Sequence, residues 1–156
     1  MPIFDFAISA HWLLAPLLVA VILYDLRFMR LPDTLAILFV LVFLASLLNA
    51  ASLNWALPRF GVGACIYGLG IAANRAGLVG GGDVKVLAAL VLNITLNGLL
   101  LFSALLCGML LLGILGLGLL RSVVEKPTNW RALNERERYP VGLSIGLAGL
   151  AFIWIA

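Results

Sequence analysis

Two aspartates lie at the ends of apolar stretches, where an acidic side chain is costly and marks a candidate functional site. Asp25 lies near the end of the first apolar run, and Asp83 directly follows three glycines. Two carboxylates at one depth in a membrane can share a proton, so that one acts as a base on a water and the other as an acid toward a scissile carbonyl. The pair therefore predicts an aspartic protease site, in which water is the nucleophile and neither a metal nor another cofactor is required.

The residues around the two aspartates complete the candidate site. Glycines permit unusual backbone angles and the close approach of another chain, so the glycines before Asp83 are expected to lie against an extended substrate peptide. Among the charged neighbours, Lys85 is expected to tune the acid pair or hold a lipid phosphate, and Arg27 to pair with Asp33 or with lipid headgroups. The substrate-binding or site-shaping candidates from these two segments are Gly80, Gly81, Gly82, Lys85, Arg27, Pro32 and Asp33.

Simpler structural roles stay open for the same charged residues. An interfacial pair of Asp25 with Arg27 would only set the topology of the chain. Asp83 after a glycine turn would serve as a helix N-cap. Lys85 would then be an ordinary basic anchor on the cytoplasmic side of a membrane.

The composition of the chain predicts that a bilayer surrounds it. Of its 156 residues 64% are hydrophobic and only 11% are charged, against roughly 25% charged residues in soluble domains. A spanning helix needs about 20 mostly apolar residues, so little chain is left for anything else. We expect one transmembrane domain over residues 1–156, with no separate soluble or methyltransferase domain, and the net charge of +3 gives no reason to expect a nucleic-acid partner.

The apolar runs predict an all-α, polytopic integral membrane protein with about six transmembrane helices. In a six-span arrangement nine of the ten Lys and Arg residues fall on one side, and only Arg59 falls on the other. The positive-inside rule makes the richer side cytoplasmic, so both aspartates face the cytoplasm and both termini lie outside. The predicted spans are residues 8–28, 33–53, 57–73, 83–94, 98–120 and 140–156.

Other residue types give no competing catalytic site. The only histidine, His11, is expected on the outer side, which excludes a Ser-His triad on the cytoplasmic side. Cys65 and Cys107 lie in apolar segments without a CxxC pair, so we expect small packing residues and no cysteine-based zinc site. Glycines at close spacing are expected to serve helix packing, and they are Gly142 with Gly146, and the run Gly108, Gly113, Gly116 and Gly118.

Both aspartate motifs resemble those of type IV prepilin peptidases, which are intramembrane aspartyl proteases of the GxGD type. Residues 80–83 fit GxGD, and Lys85 extends the fit to GxGDxK. Residues 25–33 resemble the first motif of that family, an Asp followed by a basic residue and by a hydrophobic-Pro-Asn/Asp ending. The resemblance spans essentially the whole chain in length, number of spans and placement of the motifs.

The resemblance implies a prepilin leader peptidase of the bacterial inner membrane that cleaves on the cytoplasmic side, with Asp25 and Asp83 as the catalytic pair. It implies prepilin substrates, contact with membrane lipid and with the pilus assembly machinery, and no cofactor. Larger members carry a cytoplasmic segment with zinc-binding cysteines and an N-methyltransferase activity. Because that segment is missing from this sequence, the chain resembles the short form that serves Flp, or tight-adherence, pili.

Some positions depart from the family pattern. Leu31 replaces the usual Ile, and Asp33 stands where Asn is frequent. Pro140 opens a segment similar to a Pro-aromatic-Gly motif that shapes the cleft, although Val141 stands at the aromatic position. Presenilin, signal peptide peptidase and archaeal preflagellin peptidases share the GxGD chemistry and remain alternatives. A small transporter or pilus-assembly scaffold, with Asp25 and Asp83 as a proton or cation site, is the non-enzyme alternative.

Overall fold

The computed structural model describes residues 8–48, 54–123, 130–134 and 139–155, and over these ranges the chain is entirely helical apart from the turns and loops that join the helices. In lipid, an extended apolar chain would leave its backbone amides without hydrogen-bond partners. A helix pairs these amides within the same segment, so the apolar runs fold as helices. A 3-10 helix at Leu96–Gly98 leads directly into the fifth α-helix. The α-helices are α1 (Ile8–Phe28), α2 (Asp33–Leu48), α3 (Ala56–Arg75), α4 (Gly81–Val91), α5 (Leu99–Val123), α6 (Arg131–Asn134) and α7 (Val141–Ile155).

The predicted helices correspond to the observed ones, with differences at their ends. α4 begins at Gly81, earlier than predicted, and ends at Val91, short of the predicted Ile94. The long polar stretch before the last span contains one short helix, α6, that the sequence did not indicate. Residues 49–53 of the predicted second span and 156 of the sixth lie outside the described residues.

Two helical stretches in the described residues, Ala56–Arg75 and Leu96–Val123, are long and apolar enough to cross a membrane. Only 17% and 11% of their apolar windows, respectively, are buried within the chain. A core helix of a soluble protein would be mostly buried, so these two exposed apolar surfaces favour contact with lipid. Asp33–Leu48 and Val141–Ile155 are apolar but shorter, and the number of six spans remains a prediction.

The helices pack in two groups that meet at α1 and α4. α7 lies between α1 and α5, while α4 lies between α2 and α3. Contacts of α1 with α2 and of α4 with α7 join the two groups. The fully buried side chains at the centre come from both groups, and they include Leu18, Val21, Phe39, Val86 and Ile145.

Glycines allow α7 to approach α1 closely, as the Gly142 and Gly146 spacing predicted. A Cβ at Gly146 would lie 2.9 Å from the Leu18 carbonyl oxygen and would overlap the side chain of Ile22. A Cβ at Gly149 would lie 2.6 Å from a methyl group of Leu18. Close approach of backbones is the usual function of such residues between membrane helices.

Two expectations about small residues were wrong in part. At three glycines of α5, Gly108, Gly116 and Gly118, an added Cβ would have no atom within 4 Å, so these glycines pack against nothing in the described residues. Cys65 and Cys107 are exposed free thiols rather than buried packing residues. Both errors have one cause: an entirely apolar helix gives no sequence signal for which face turns inward.

Candidate active site

Asp25 lies in the last turn of α1, and its side chain is 3% exposed. The helix ends three residues later, and the amide of Met29 still donates to the Asp25 carbonyl oxygen at 2.8 Å. Met29 then adopts φ of 50°, the left-handed region that non-glycine residues rarely occupy. The chain reverses there and begins α2 at Asp33, so the first motif is the turn between two packed helices.

The beginning of α7 holds the Asp25 carboxylate. The backbone N–H of Leu143 donates to Asp25 Oδ2 at 2.9 Å, and the Gly142 backbone also bonds to this carboxylate. Both amides belong to the first turn of α7 and have no partner within their own helix. Asp25 therefore caps α7 from a different helix. A Cβ at Gly142 would lie 2.8 Å from Oδ2, so glycine is the residue that permits this approach.

Asp83 lies in the first turn of α4. Gly80 precedes the helix in an extended conformation, and its carbonyl accepts the amide of Val84 at 3.2 Å. The Asp83 carboxylate reaches back and accepts a hydrogen bond from the Gly80 backbone, the geometry of an acidic residue in a capping box. Asp83 thus stabilises the helix start, as the simpler interpretation predicted, although Gly80 and not Asp83 occupies the N-cap position.

The three glycines before Asp83 are not equivalent. A Cβ at Gly80 would lie 2.5 Å from Asp83 Oδ2, and one at Gly82 would lie 2.7 Å from the Leu31 carbonyl oxygen. At Gly81 the nearest atoms, in the Asn74 side chain, are 3.7 Å away, which is ordinary contact. The two positions that GxGD specifies as glycine are therefore the two that have no room for a side chain. Gly82 also joins the two motifs, because it packs against the turn that follows Asp25.

Asp25 and Asp83 line one cleft of about 510 Å³. The two carboxylates are close enough to interact electrostatically. Of the other site candidates, Gly80 and Pro140 line the cleft as well. The complete lining is Asp25, Met29, Asn74, Gly77, Leu78, Val79, Gly80, Asp83, Tyr139, Pro140 and Val141.

The charged candidates beside the motifs are absent from the cleft lining. Lys85 Nζ contacts both carboxylate oxygens of Asp33 at 2.7 Å and so joins α4 to the start of α2. The two side chains are 41% and 64% exposed, so this is a surface ion pair. The guanidinium of Arg27 lies 5.5 Å from the ring centre of Phe28, and Asp33 pairs with Lys85 instead of with Arg27. Pro32 belongs to the turn before α2, where its carbonyl accepts the amide of Leu35.

Sequence reasoning missed two polar residues of the cleft. Asn74, at the end of α3, donates from Nδ2 to the Val79 carbonyl at 2.7 Å and so fixes the loop that leads to Gly80. The hydroxyl of Tyr139 lies 2.5 Å from Ser144 Oγ in α7. Burial, and to a smaller extent the nearby charge of Asp25, raise the pKa of Tyr139. The one available signal was the position of Tyr139 directly before Pro140.

This arrangement can perform acid–base chemistry on a bound peptide. Two carboxylates in one partly enclosed cleft can share a proton and act together on a water and a carbonyl group. Among the described residues, no group of three or more His, Cys, Asp or Glu side chains is placed to hold a metal ion. The backbone hydrogen bonds to each aspartate fix the direction in which the two carboxylates point.

Comparison with curated proteins and with solved structures finds no match to this chain. A family model does match, and its description is the type IV leader peptidase family. The match covers residues 12–119, more than half of the chain, and contains both aspartates and the whole GxGD segment. Together with the exposed apolar helices, it identifies a membrane protein. By this match the chain belongs to the type IV leader peptidase family.

Proposed function

We propose that the chain is a prepilin leader peptidase, an intramembrane aspartyl endopeptidase that cleaves the leader of Flp-like prepilins on the cytoplasmic side of the bacterial inner membrane. The observation that carries the proposal is the common cleft of Asp25 and Asp83, at the end of one helix and the start of another. The family match supports a leader peptidase role, and the cleft supplies the acid–base pair that peptide hydrolysis by water requires.

In this mechanism one carboxylate takes a proton from the attacking water while the other donates a proton toward the scissile carbonyl. The resulting tetrahedral intermediate collapses when the amide nitrogen leaves with a proton. Since the pair is chemically sufficient for these steps, no cofactor is required. The glycine-rich loop from Gly77 to Gly80 forms one wall of the cleft, where an extended peptide can lie close to the backbone.

The proposed topology has about six spans with both termini outside. Its support is the distribution of basic residues, nine of which fall on one side, and the position of both aspartates at helix ends on that side. The test places single cysteines in the predicted loops of a variant that lacks Cys65 and Cys107. A thiol reagent added to intact cells should label the loops predicted to lie outside, and it should label the cytoplasmic loops only after permeabilisation. Labelling of residues near Arg121 from outside the cell would contradict the orientation.

Co-expression with a Flp-type prepilin tests the catalytic roles. We expect the wild-type chain to process the prepilin, and Asp25→Asn and Asp83→Asn each to abolish processing, because either change removes a titrating carboxyl group while it keeps size and shape. Asp33→Asn is the matched control, since Asp33 is exposed and absent from the cleft lining. It should leave most of the activity.

Membrane insertion of every variant is measured in parallel. Processing that persists in a correctly inserted Asp25→Asn or Asp83→Asn chain would refute the role of that aspartate. If the inserted wild-type chain processes none of a broad set of type IV prepilins, the peptidase proposal fails, and proton or cation transport by the same carboxylates is the next function to assay.

A further inference from the structure

Tyr139 forms a wall of the cleft that no motif explains. It lines the cavity with both aspartates and lies next to Pro140 and Val141. Tyr139 lies outside residues 12–119, the part of the chain that the family model matches.

A chain of hydrogen bonds fixes the direction in which the Tyr139 hydroxyl points. The Ser144 hydroxyl is fully buried and donates to the Met109 carbonyl oxygen of α5 at 3.0 Å. A hydroxyl has one proton to donate, so Ser144 Oγ acts as the acceptor in its 2.5 Å contact with Tyr139. The Tyr139 O–H is therefore the donor, and it is directed into the α5–α7 interface. Because the hydroxyl points away from the cleft, the aromatic ring is the part of Tyr139 that lines it.

A glycine of α5 makes room for this hydroxyl. A Cβ at Gly113 would overlap the Tyr139 oxygen, and it would lie 3.0 Å from the ring carbon that bears it and 3.1 Å from Ser144 Oγ. The same helix carries Gly116, where a Cβ would meet no atom within 4 Å. Tyr139 is thus held from three sides, by α7 through Ser144, by α5 through Gly113, and by the chain that leads into Pro140.

We propose that Tyr139 is a specificity-determining residue, whose fixed ring limits the size of the substrate side chain beside the scissile bond. This inference rests on the proposed function, because it takes the cleft to be the place where a peptide is cut. A ring that α7, α5 and the chain into Pro140 hold from three sides cannot swing away to admit a larger group. The wall therefore selects peptides with a small residue at one position next to the cut.

The first test uses a Flp-type prepilin series in which each residue flanking the cut is Ala, Leu or Phe in turn. Wild type and Tyr139→Phe should both discriminate by size at one flanking position, because both keep the ring, and α5 and the chain into Pro140 still hold the ring when the hydroxyl is lost. Tyr139→Ala should lower the preference for Ala over Phe at that position by about tenfold or more, the discrimination that a few methylene groups provide in a pocket. An equal loss of rate for every member of the series would overturn the proposal.

The second test uses Gly113→Ala, with Gly116→Ala as its matched control. Gly113→Ala should displace the ring and relax the size preference, whereas Gly116→Ala should leave it unchanged. Removal of the hydroxyl in the double variant Gly113→Ala with Tyr139→Phe should restore the preference, because the overlapping atom is then gone. No restoration in the double variant would show that Gly113 does not act through Tyr139, and the proposal would be wrong.

A measurement without substrate separates this inference from the proposed function. In detergent, Gly113→Ala should lower the denaturant midpoint of the wild-type chain clearly more than that of Tyr139→Phe, which lacks the overlapping oxygen. That coupling tests the anchored ring even if no prepilin is cut. Additive effects of the two substitutions on the denaturant midpoint would refute the anchoring of the ring. Non-additive effects, in a chain that cuts no prepilin, would refute the proposed function and leave the anchoring in place.

Discussion

Replacement of Gly82 by alanine tests how the GxGD glycines position the two aspartates. The new methyl carbon would lie 2.7 Å from the Leu31 carbonyl oxygen and 3.1 Å from the Leu31 Cβ, whereas ordinary contacts begin near 3.4 Å. The start of α4 and the turn after α1 must then separate by about 0.7 Å. Asp83 moves with the start of α4, so its carboxylate shifts relative to Asp25.

The expected loss can be worked out from this displacement. A misplacement of about 1 Å in a catalytic constellation costs about 100-fold in rate, so Gly82→Ala should slow prepilin cleavage by about 10- to 100-fold. Overpacking costs about 1–3 kcal/mol in stability, and the higher helix propensity of alanine offsets up to about 1 kcal/mol. The net destabilisation of about 0–3 kcal/mol is less than the usual stability of a folded domain, so most of the protein stays folded.

The neighbouring Gly81→Ala variant is the matched control. It gains the same helix propensity in the same turn, but its methyl group would lie 3.7 Å from the nearest atoms of the Asn74 side chain. Cleavage by Gly81→Ala should therefore stay within a few-fold of wild type, and its stability should rise slightly. The assay compares processing rates of one prepilin in membranes that contain equal amounts of each variant, together with denaturant midpoints in detergent.

Equal damage from the two substitutions would refute this reasoning, because it would show that the glycines act through backbone flexibility rather than through the space beside Leu31. Full activity of Gly82→Ala would refute it as well, since the close approach of α4 to the first motif would then be dispensable.

Three further predictions concern parts of the structure around the site. The ion pair of Lys85 with Asp33 is exposed, so Lys85→Gln should change the rate of prepilin cleavage by less than about fivefold. The double variant Lys85→Asp with Asp33→Lys, which exchanges the two charges, should recover the wild-type rate in the same processing assay. Gly146→Ala should destabilise the chain by about 1–3 kcal/mol in denaturant titrations, because its Cβ overlaps α1, whereas Gly116→Ala should be neutral. Burial raises the pKa of Tyr139, so the folded state keeps the phenol protonated after the unfolded state has ionised. This contribution to stability is present at pH below the ordinary tyrosine range and is lost as the pH rises through the raised pKa; the alkaline loss of stability should therefore be smaller in Tyr139→Phe than in wild type.

The sequence predicted the helices well because each depends on a local property. An apolar run of sufficient length forms a helix wherever lipid surrounds it, since its backbone has no other source of hydrogen bonds. The same argument selected Asp25 and Asp83, because an acid in an apolar run is costly and calls for a functional reason. Both motifs are contiguous, so their resemblance to prepilin peptidases could be read without knowledge of the fold.

The tertiary structure decided which distant groups meet. The bond from the Leu143 amide to Asp25 joins residues 118 positions apart, and that from Lys85 to Asp33 joins residues 52 apart. The tertiary structure also distinguishes the three glycines before Asp83. Gly80 and Gly82 have no room for a side chain, whereas Gly81 has room for one. Tyr139 entered the site only through the packing of α5 against α7.

The physical reason lies in the uniform composition of the helices. In a soluble protein an apolar stripe on a polar helix shows which face turns toward the core. In this chain nearly every face is apolar, so the sequence determines that helices form and which acids are functional candidates, but it carries little information about their orientation. Close packing at single glycines sets that orientation, and therefore only the folded chain decides that two carboxylates, the start of α7 and one anchored ring share a cleft.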